Sequence, residues 1–253
     1  MFRYGIIITI HYMKLVILAG GYGTRMGEES KKIPKPMIEI GGIPIICHIL
    51  NRYSLFGIND FIICGGHKFS VIKKFFKEIS QSGTRKKKIY EPFNVRVVNT
   101  GENTMTGGRL KRIDKYLDNE TFCFTYGDTL NDLNIEKIIK FHKKQKTLAT
   151  VTACKPNENF GILNLNKSKV IKFQEKPKSV NWVNGGYFVL ETQVLDYIKN
   201  DSTVWEHEPM KKLVKKKELS AYKHSGFYQP MDTINEKKYL EKLWNGKKAP
   251  WKT

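Results

Sequence analysis

An α/β fold, with helices covering a mostly parallel sheet, is predicted for this chain by three observations. Short apolar runs alternate along the sequence with longer amphipathic ones, the pattern of strands joined by crossover helices. Four successive strand-like runs exit on small residues, at Gly20-Gly21, Gly65-Gly66, Thr100-Gly101 and Gly127-Asp128. A chain of 253 residues with no Pro/Gly/Ser-rich linker can bury one large core. One compact domain over residues 13–253 is expected, preceded by an N-terminal extension at 1–12.

The extension carries Arg3 and the apolar run Ile6-Ile7-Ile8-Thr9-Ile10. A signal peptide is one reading of it. The run is short, however, no small-residue cleavage site follows, and a strand begins at once, so an upstream start codon or an extra edge segment is expected, with Met13 as the functional start. The first strand is placed at residues 14–18. Pro44 opens a helix at 44–55, because proline suits a first helical turn. A strand at 60–64 leads into a helix at 69–79, where Val71, Ile72, Phe75, Phe76 and Ile79 fall at helical spacing. A strand at 95–99, a helix at 109–117, a strand at 121–126, a helix at 135–145 and a strand at 148–153 continue the alternation. In the second half the runs shorten. Strands at 160–165, 170–174, 187–190 and 219–222 are expected to build a mixed-sheet extension over the cleft, with helices at 210–217 and 233–244. Ligands of such sheets gather beyond the carboxyl ends of the strands, so four small-residue exits predict one shared cleft.

Composition narrows the function classes. Cys47, Cys64, Cys123 and Cys154 lie in apolar runs with no C-x-x-C spacing, which reads as core cysteine in a reducing, cytoplasmic compartment and not as a thiolate metal site. No apolar stretch reaches the roughly 18 residues of a spanning helix, so no membrane partner is expected. The net charge of +20 invites a nucleic-acid reading. Only seven of the 44 basic residues are Arg, though, and the runs Lys86-Lys87-Lys88 and Lys215-Lys216-Lys217 lack interleaved aromatics for base stacking. These runs read as solvated faces whose field draws in anionic substrates, and no nucleic-acid partner is expected.

The most informative segment is Leu15-Val16-Ile17-Leu18-Ala19-Gly20-Gly21-Tyr22-Gly23-Thr24-Arg25-Met26, followed by Pro34-Lys35-Pro36. It joins a buried strand to a glycine loop and two cations. Small residues let backbone N–H groups approach phosphate oxygens, and Arg25 and Lys35 supply fixed positive charge for a polyphosphate. A dinucleotide fingerprint would need a small residue where Met26 stands, and a P-loop would need Gly-Lys-Ser/Thr, which is missing here. The pattern Gly-Gly-x-Gly-Thr-Arg-Met with a downstream Lys-Pro resembles the signature of the sugar-phosphate nucleotidyltransferases, which couple a nucleoside triphosphate to a sugar 1-phosphate.

Further stretches extend the resemblance over nearly the whole chain, from about Met13 to Lys252. Thr-Gly-Gly-Arg-Leu-Lys-Arg at 106–112, Ile40-Gly41-Gly42, Asp60-Phe61-Ile62-Ile63-Cys64, residues 174–177, Trp205-Glu206 and residues 229–233 match the branch of that family acting on CTP and glucose 1-phosphate. The resemblance implies a Rossmann-like three-layer nucleotidyltransferase fold with a small β extension, a Mg²⁺ cofactor, CTP and glucose 1-phosphate as small-molecule partners, and a homo-oligomer.

Residue by residue, the resemblance assigns the nucleotide to Leu18, Ala19, Gly20, Gly21, Gly23, Thr24 and Arg25, and the base to Thr106, Gly107, Gly108 and Arg109. At 106–108 a glycine pair opens a basic helix, whose free N–H groups would read a base edge or hold an anion. Asp128 ends a buried strand directly after Gly127, where a carboxylate enters the cleft as a Mg²⁺ ligand, although Gly-Asp there also serves as a turn or helix cap. The family pairs two such aspartates on magnesium, and Asp232 in Gln229-Pro230-Met231-Asp232-Thr233 is the second; its alternative reading is a helix N-cap. Glu175-Lys176-Pro177 resembles the sugar-phosphate clamp. Lys176 would neutralise the sugar phosphate and Glu175 accept from sugar hydroxyls. Tyr126, Gly127 and the Asn184-Gly185-Gly186 segment complete the sugar side, the glycines being equally readable as a plain turn.

Three positions depart from the family pattern: Ile33 and Ile43 stand where lysine is common, and Thr129 where glycine follows the metal aspartate. The expected chemistry is attack of glucose 1-phosphate on the α-phosphorus of CTP, with Arg25, Lys35 and Lys176 as catalytic cations. The same reaction with UTP or dTTP, a basic nucleic-acid binder and a silent sugar-nucleotide sensor are the rivals. Two metal carboxylates together with Lys35 and Lys176 argue against silence.

Overall fold

A computed structural model of the chain describes residues 13–81, 93–155, 162–166, 168–174 and 182–252. Among them the strands are β1 (Lys14–Ala19), β2 (Glu39–Ile40), β3 (Ile43–Pro44), β4 (Asp60–Gly65), β5 (Asn94–Asn99), β6 (Phe122–Tyr126), β7 (Thr129–Asn131), β8 (Ala149–Cys154), β9 (Ile162–Asn166), β10 (Lys169–Gln174), β11 (Val183–Leu190), β12 (Leu219–His224) and β13 (Tyr228–Pro230). Seven form one sheet in the order β12-β8-β11-β6-β1-β4-β5. All neighbours in it are parallel except β11, which runs antiparallel between β6 and β8. The remaining pairs are β2 with β3, β7 with β13 and β9 with β10.

Alternation along each strand feeds two cores. Leu15 and Ile17 pack with Phe61, Ile63 and Cys123 on one face; Val16 and Leu18 pack with Ile62, Cys64, Phe122 and Phe124 on the other. Strands covered on both faces must be apolar at every position, which is why these segments read as unbroken hydrophobic runs. The first face is sealed by the helices Ile45–Ser54, Phe69–Gln81 and Ile135–Gln145, the second by Leu110 and Leu213 of the helices Thr106–Arg112 and Glu208–Lys215. No helix among the described residues is long and apolar enough to cross a membrane.

The structure differs from the sequence reading in the second half. The segments expected at 187–190 and 219–222 are not part of an extension over the cleft: they are β11 and β12 of the main sheet. Asn184-Gly185-Gly186 disguised β11, since it reads as a turn. Gly185 is instead inside the strand, where a Cβ would overlap Cys154 Sγ of β8, and the pairing of β11 with β8 shifts register between Asn184 and Phe188. Of the segments expected to build that extension, those in the β9–β10 hairpin are the ones that lie outside the main sheet.

The helix expected at 109–117 is also displaced. It runs Thr106–Arg112, is followed by a 3-10 turn at Asp114–Tyr116, and is closed off by left-handed Asp118 and Asn119 at φ 54° and 56°. Residues 1–12, the Lys86-Lys87-Lys88 run, the start of the strand expected at 160–165, and Glu175-Lys176-Pro177 lie outside the described residues.

Candidate active site

The glycine loop leaves β1 and folds over Lys35. Gly23 takes a left-handed φ of 65°, a conformation that suits glycine, and the short 3-10 turn Thr24–Met26 buries Met26 completely. A Cβ on Gly23 would press on the Lys35 Cβ at 3.2 Å, so the loop and the lysine stem are packed together. Gly21 faces open space. Gly20 does not: a Cβ there would overlap the guanidinium of Arg109. The bareness of Gly20 therefore makes room for a side chain of this protein rather than for a phosphate.

Two carboxylates from distant parts of the chain meet at Lys35. Gly127 donates to the carbonyl of Leu18 at 2.9 Å, which ties the β6–β7 turn and Asp128 to the end of β1. β7 then pairs antiparallel with β13, Thr129 facing Pro230, and one more backbone bond, from Met231 N–H to Asp128 O at 2.9 Å, sets Asp232 beside Asp128. Lys35 Nζ lies 2.7 Å from Asp128 Oδ2 and 2.5 Å from Asp232 Oδ1, and Arg25 Nη1 lies 3.1 Å from Asp232 Oδ2. Burial works against the charge on Lys35, but Asp128 and Asp232 outweigh it and hold its pKa above the ordinary lysine value. Asp232 is not the N-cap of the last helix. Thr233 takes that position in a capping box with Glu236, which leaves the Asp232 carboxylate to the cleft.

This donor set fits Mg²⁺. Two carboxylates with about a quarter of their surface exposed, at 28% and 25%, face a cleft of roughly 240 Å³ lined by Leu18, Gly21, Thr24, Arg25 and Lys35. Mg²⁺ takes one or two carboxylates and completes its octahedron with water and substrate phosphate oxygens. Thr129, one of the departures from the family pattern, adds a hydroxyl that donates to Asp128 Oδ1 at 3.2 Å. Neither Ile33 nor Ile43 lines this cleft; both pack against the core on the first face.

A second chamber of about 420 Å³ opens on the other side of Leu18, Gly21 and Asp128. Its wall includes Tyr22, Glu102, Asn103, Thr106, Arg109 and Tyr126. The N–H groups expected to be free here are engaged: Gly107 and Gly108 both donate to Thr203 O, at 3.0 and 3.2 Å, and a Cβ on either would overlap backbone at 201–203. Thr106 is turned to Glu206, to which its hydroxyl donates at 2.7 Å, and the Tyr126 hydroxyl donates to the same carboxylate. Burial, reinforced by Glu206, pushes the Tyr126 phenol well above its usual pKa and keeps it a donor.

Arg109 is a buried staple. It donates to the carbonyls of Gly20, Gly65, Gly101 and Glu102 and to the Thr100 hydroxyl, so one guanidinium joins the exits of β1, β4 and β5. In the segment expected to face the sugar, Asn184 accepts from Gly186 N–H at 2.8 Å, and Gly186, at φ 75°, lies against the Tyr126 ring. Sequence reasoning assigned no role in the site to Tyr22, His67, Glu102, Asn103 or Glu206, although Tyr22 and Glu206 stand within motifs it singled out. The small-residue exits Gly65-Gly66 and Thr100-Gly101 were the available signal for His67 and Glu102, which follow them directly.

The Nucleotidyl transferase family profile matches residues 14–244. The chain is 50% identical over 256 residues to the glucose-1-phosphate cytidylyltransferase of Salmonella typhimurium, covering 95% of this chain and 99% of that protein. It is 30% identical over 241 residues to the mannose-1-phosphate guanyltransferase of Saccharomyces cerevisiae, covering 90% of this chain and 63% of that one. The fold matches a UDP-glucose pyrophosphorylase solved with UDP-glucose at a TM-score of 0.71 and 18% identity, over 93% of this chain and 99% of that structure.

Proposed function

Because the chain belongs to the nucleotidyl transferase family, we propose that it transfers a cytidylyl group from CTP to glucose 1-phosphate, giving CDP-glucose and pyrophosphate. The observation that carries the reaction type is the meeting of Asp128 and Asp232 on Lys35 beneath the glycine loop. The choice of base and sugar is supported by the likeness to the Salmonella enzyme. The reading takes residues 13–253 as one domain behind the 1–12 extension, working as a cytoplasmic homo-oligomer, and four buried free cysteines favour such a reducing compartment.

A phosphate oxygen of glucose 1-phosphate forms the new bond to the α-phosphorus as the bond to the bridging oxygen breaks, and pyrophosphate leaves with that electron pair. The acceptor is already an anion at neutral pH, so no protein nucleophile is required. The task is to align two anions that repel and to absorb charge on the leaving group. Arg25, exposed at the mouth, is given the triphosphate. Lys35, held by the two carboxylates, is given the α-phosphate side. Lys176 and Glu175 are assigned the sugar phosphate and the sugar hydroxyls, beside Tyr126, Gly127 and residues 184–186. Asp128 and Asp232 would hold Mg²⁺, which when bound supplies charge neutralisation on the phosphates. Leu18, Ala19, Gly21, Gly23 and Thr24 form the floor under the triphosphate.

Pyrophosphate release with glucose 1-phosphate and Mg²⁺ is the test, measured against CTP, UTP, dTTP, GTP and ATP in turn. Preference for CTP is expected. A preference for another triphosphate refutes the base assignment, and no release with any of them refutes the reaction.

A further inference from the structure

A loop with glycine at positions 20, 21 and 23 has little of its own to hold its shape. Met26 anchors it in the core, and Ser30 packs on its far side, where a Cβ on Gly23 would meet Ser30 Cβ at 3.5 Å. The stretch that carries Ser30 is in turn tied from two sides. Lys68 donates to Ser30 O at 2.6 Å, and Lys237 Nζ donates to both carboxylate oxygens of Glu29, each at 2.8 Å. Ile33 N–H closes the turn on Glu29 O at 3.2 Å, so a shift of Glu29 is carried by main chain to Ser30 and on to Gly23.

Lys237 belongs to the last helix, Ile234–Asn245, which begins directly after the capping Thr233 and so carries Asp232 at its entrance. Lys237, Glu241 and Trp244 follow one another at helical spacing and share one face. Glu241 accepts from Gly41 N–H at 3.1 and 3.2 Å, and a Cβ on Gly41 would overlap the Trp244 indole. The helix is thus seated on the β2–β3 hairpin, and Lys237 stands between that anchor and Asp232. Two rungs then join the loop to this helix: Arg25 with Asp232 at 3.1 Å, and Glu29 with Lys237. The first joins the groups given to the triphosphate and the metal, so ligands compete for both of its ends. The second is free of that competition, because neither Glu29 nor Lys237 lines the cleft or the second chamber.

We propose that Lys237 is a positioning residue for triphosphate binding, acting through Glu29 to hold the glycine loop and Arg25 in place when the Arg25–Asp232 pair is given up to substrate. The tie runs from the helix that delivers Asp232 to the loop that delivers Arg25, so it fixes the spacing between the two sides of the cleft. This rests on the nucleotidyl-transfer reading of the site and not on the choice of base. With side chains 22% and 39% exposed, the pair adds little to the stability of the whole fold, and its influence is local.

The experiment measures kcat, the KM for CTP and the KM for glucose 1-phosphate in the full-length wild type, Lys237→Glu, Glu29→Lys and the double variant that exchanges the two charges. Equilibrium binding of CTP without metal serves as a second readout. Each single variant replaces an attraction by a repulsion and is expected to raise the KM and Kd for CTP by about threefold to tenfold. Turnover and the KM for glucose 1-phosphate should stay near wild type. The double variant restores an opposed pair and is expected to return to within about twofold of wild type. Lys237→Gln, which deletes the charge without reversing it, should shift CTP binding in the same direction by less, and guards against a reversal that fails to fold. A simple field effect differs in sign: Glu29→Lys adds positive charge near an anionic ligand and would tighten it, whereas Lys237→Glu would loosen it. Single variants that move CTP binding in opposite directions, single variants that match wild type, or a double variant no better than the worse single each overturn the proposal. If the wild type prefers another triphosphate, the base assignment fails, and the same measurements with that triphosphate decide the proposal. No turnover with any triphosphate overturns the underlying reading, and the proposal with it.

Discussion

Met231 donates its backbone N–H to the carbonyl of Asp128, and this bond prolongs the β7–β13 ladder by one step and delivers Asp232 to the ammonium of Lys35. The acids are brought together by backbone pairing, not by mutual attraction. Like charges repel, and Lys35 and Arg25 offset that repulsion.

Asp128→Asn and Asp232→Asn are each expected to lose about 10²-fold to 10³-fold in turnover while keeping the wild-type circular dichroism spectrum. The ladder survives in both variants because it is made of main chain. Pyrophosphate release checks the first part, and full activity in either variant removes that carboxylate from the chemistry.

Gly20→Ala and Arg109→Met should behave as one lesion. The added methyl displaces the same guanidinium that the second change deletes, so each is expected to weaken triphosphate binding and to lower stability by about 3 kcal/mol. In a denaturant double-mutant cycle the combined variant should cost clearly less than the sum of the singles. Strict additivity would show that Gly20 and Arg109 act independently.

Thr233→Ala removes the N-cap of the helix Ile234–Asn245 and is expected to cost about 1 kcal/mol of stability. Its effect on turnover should stay well below that of Asp232→Asn, because the Asp232 carboxylate takes no part in the cap. Comparable losses of activity in the two variants would mean that the capping box positions the carboxylate.

Glu191 ties buried His142 to Thr121, and the His142 hydrogen bond leads the effects that hold its pKa below the ordinary glutamate value. A depressed folded-state pKa contributes stability that is present above the unfolded value and is lost as pH falls through the folded one. Wild-type stability should therefore decline on the acid side, below about pH 4.5, and Glu191→Gln should flatten that limb. Parallel melting-temperature profiles from pH 7 to pH 3 would exclude Glu191 as a source of acid sensitivity.

Much of the site could be read from local sequence. The run from Leu15 to Met26 carries its own contrast between apolar strand and bare loop. The exits at Gly65, Thr100 and Gly127 mark strand ends that the parallel sheet brings side by side. β13 could not be read, because a strand of three residues has no period to detect. Thr233-x-x-Glu236 was a legible capping signal that names Thr233, and not Asp232, as the cap.

The sequence by itself determined the layered α/β architecture, the phosphate-type glycine loop and the two aspartates, because apolar periodicity, glycine and charge act within a few residues. Tertiary structure alone decided their partners. It set Lys35 between the carboxylates, turned Arg109 into a staple for three loops, consumed the N–H groups of Gly107 and Gly108 on Thr203, and put Glu102 and Asn103 in the wall of the second chamber. The physical reason is that a hydrogen-bond donor is satisfied by whatever acceptor the fold brings within about 3 Å, and strand pairing across distant segments chooses that acceptor.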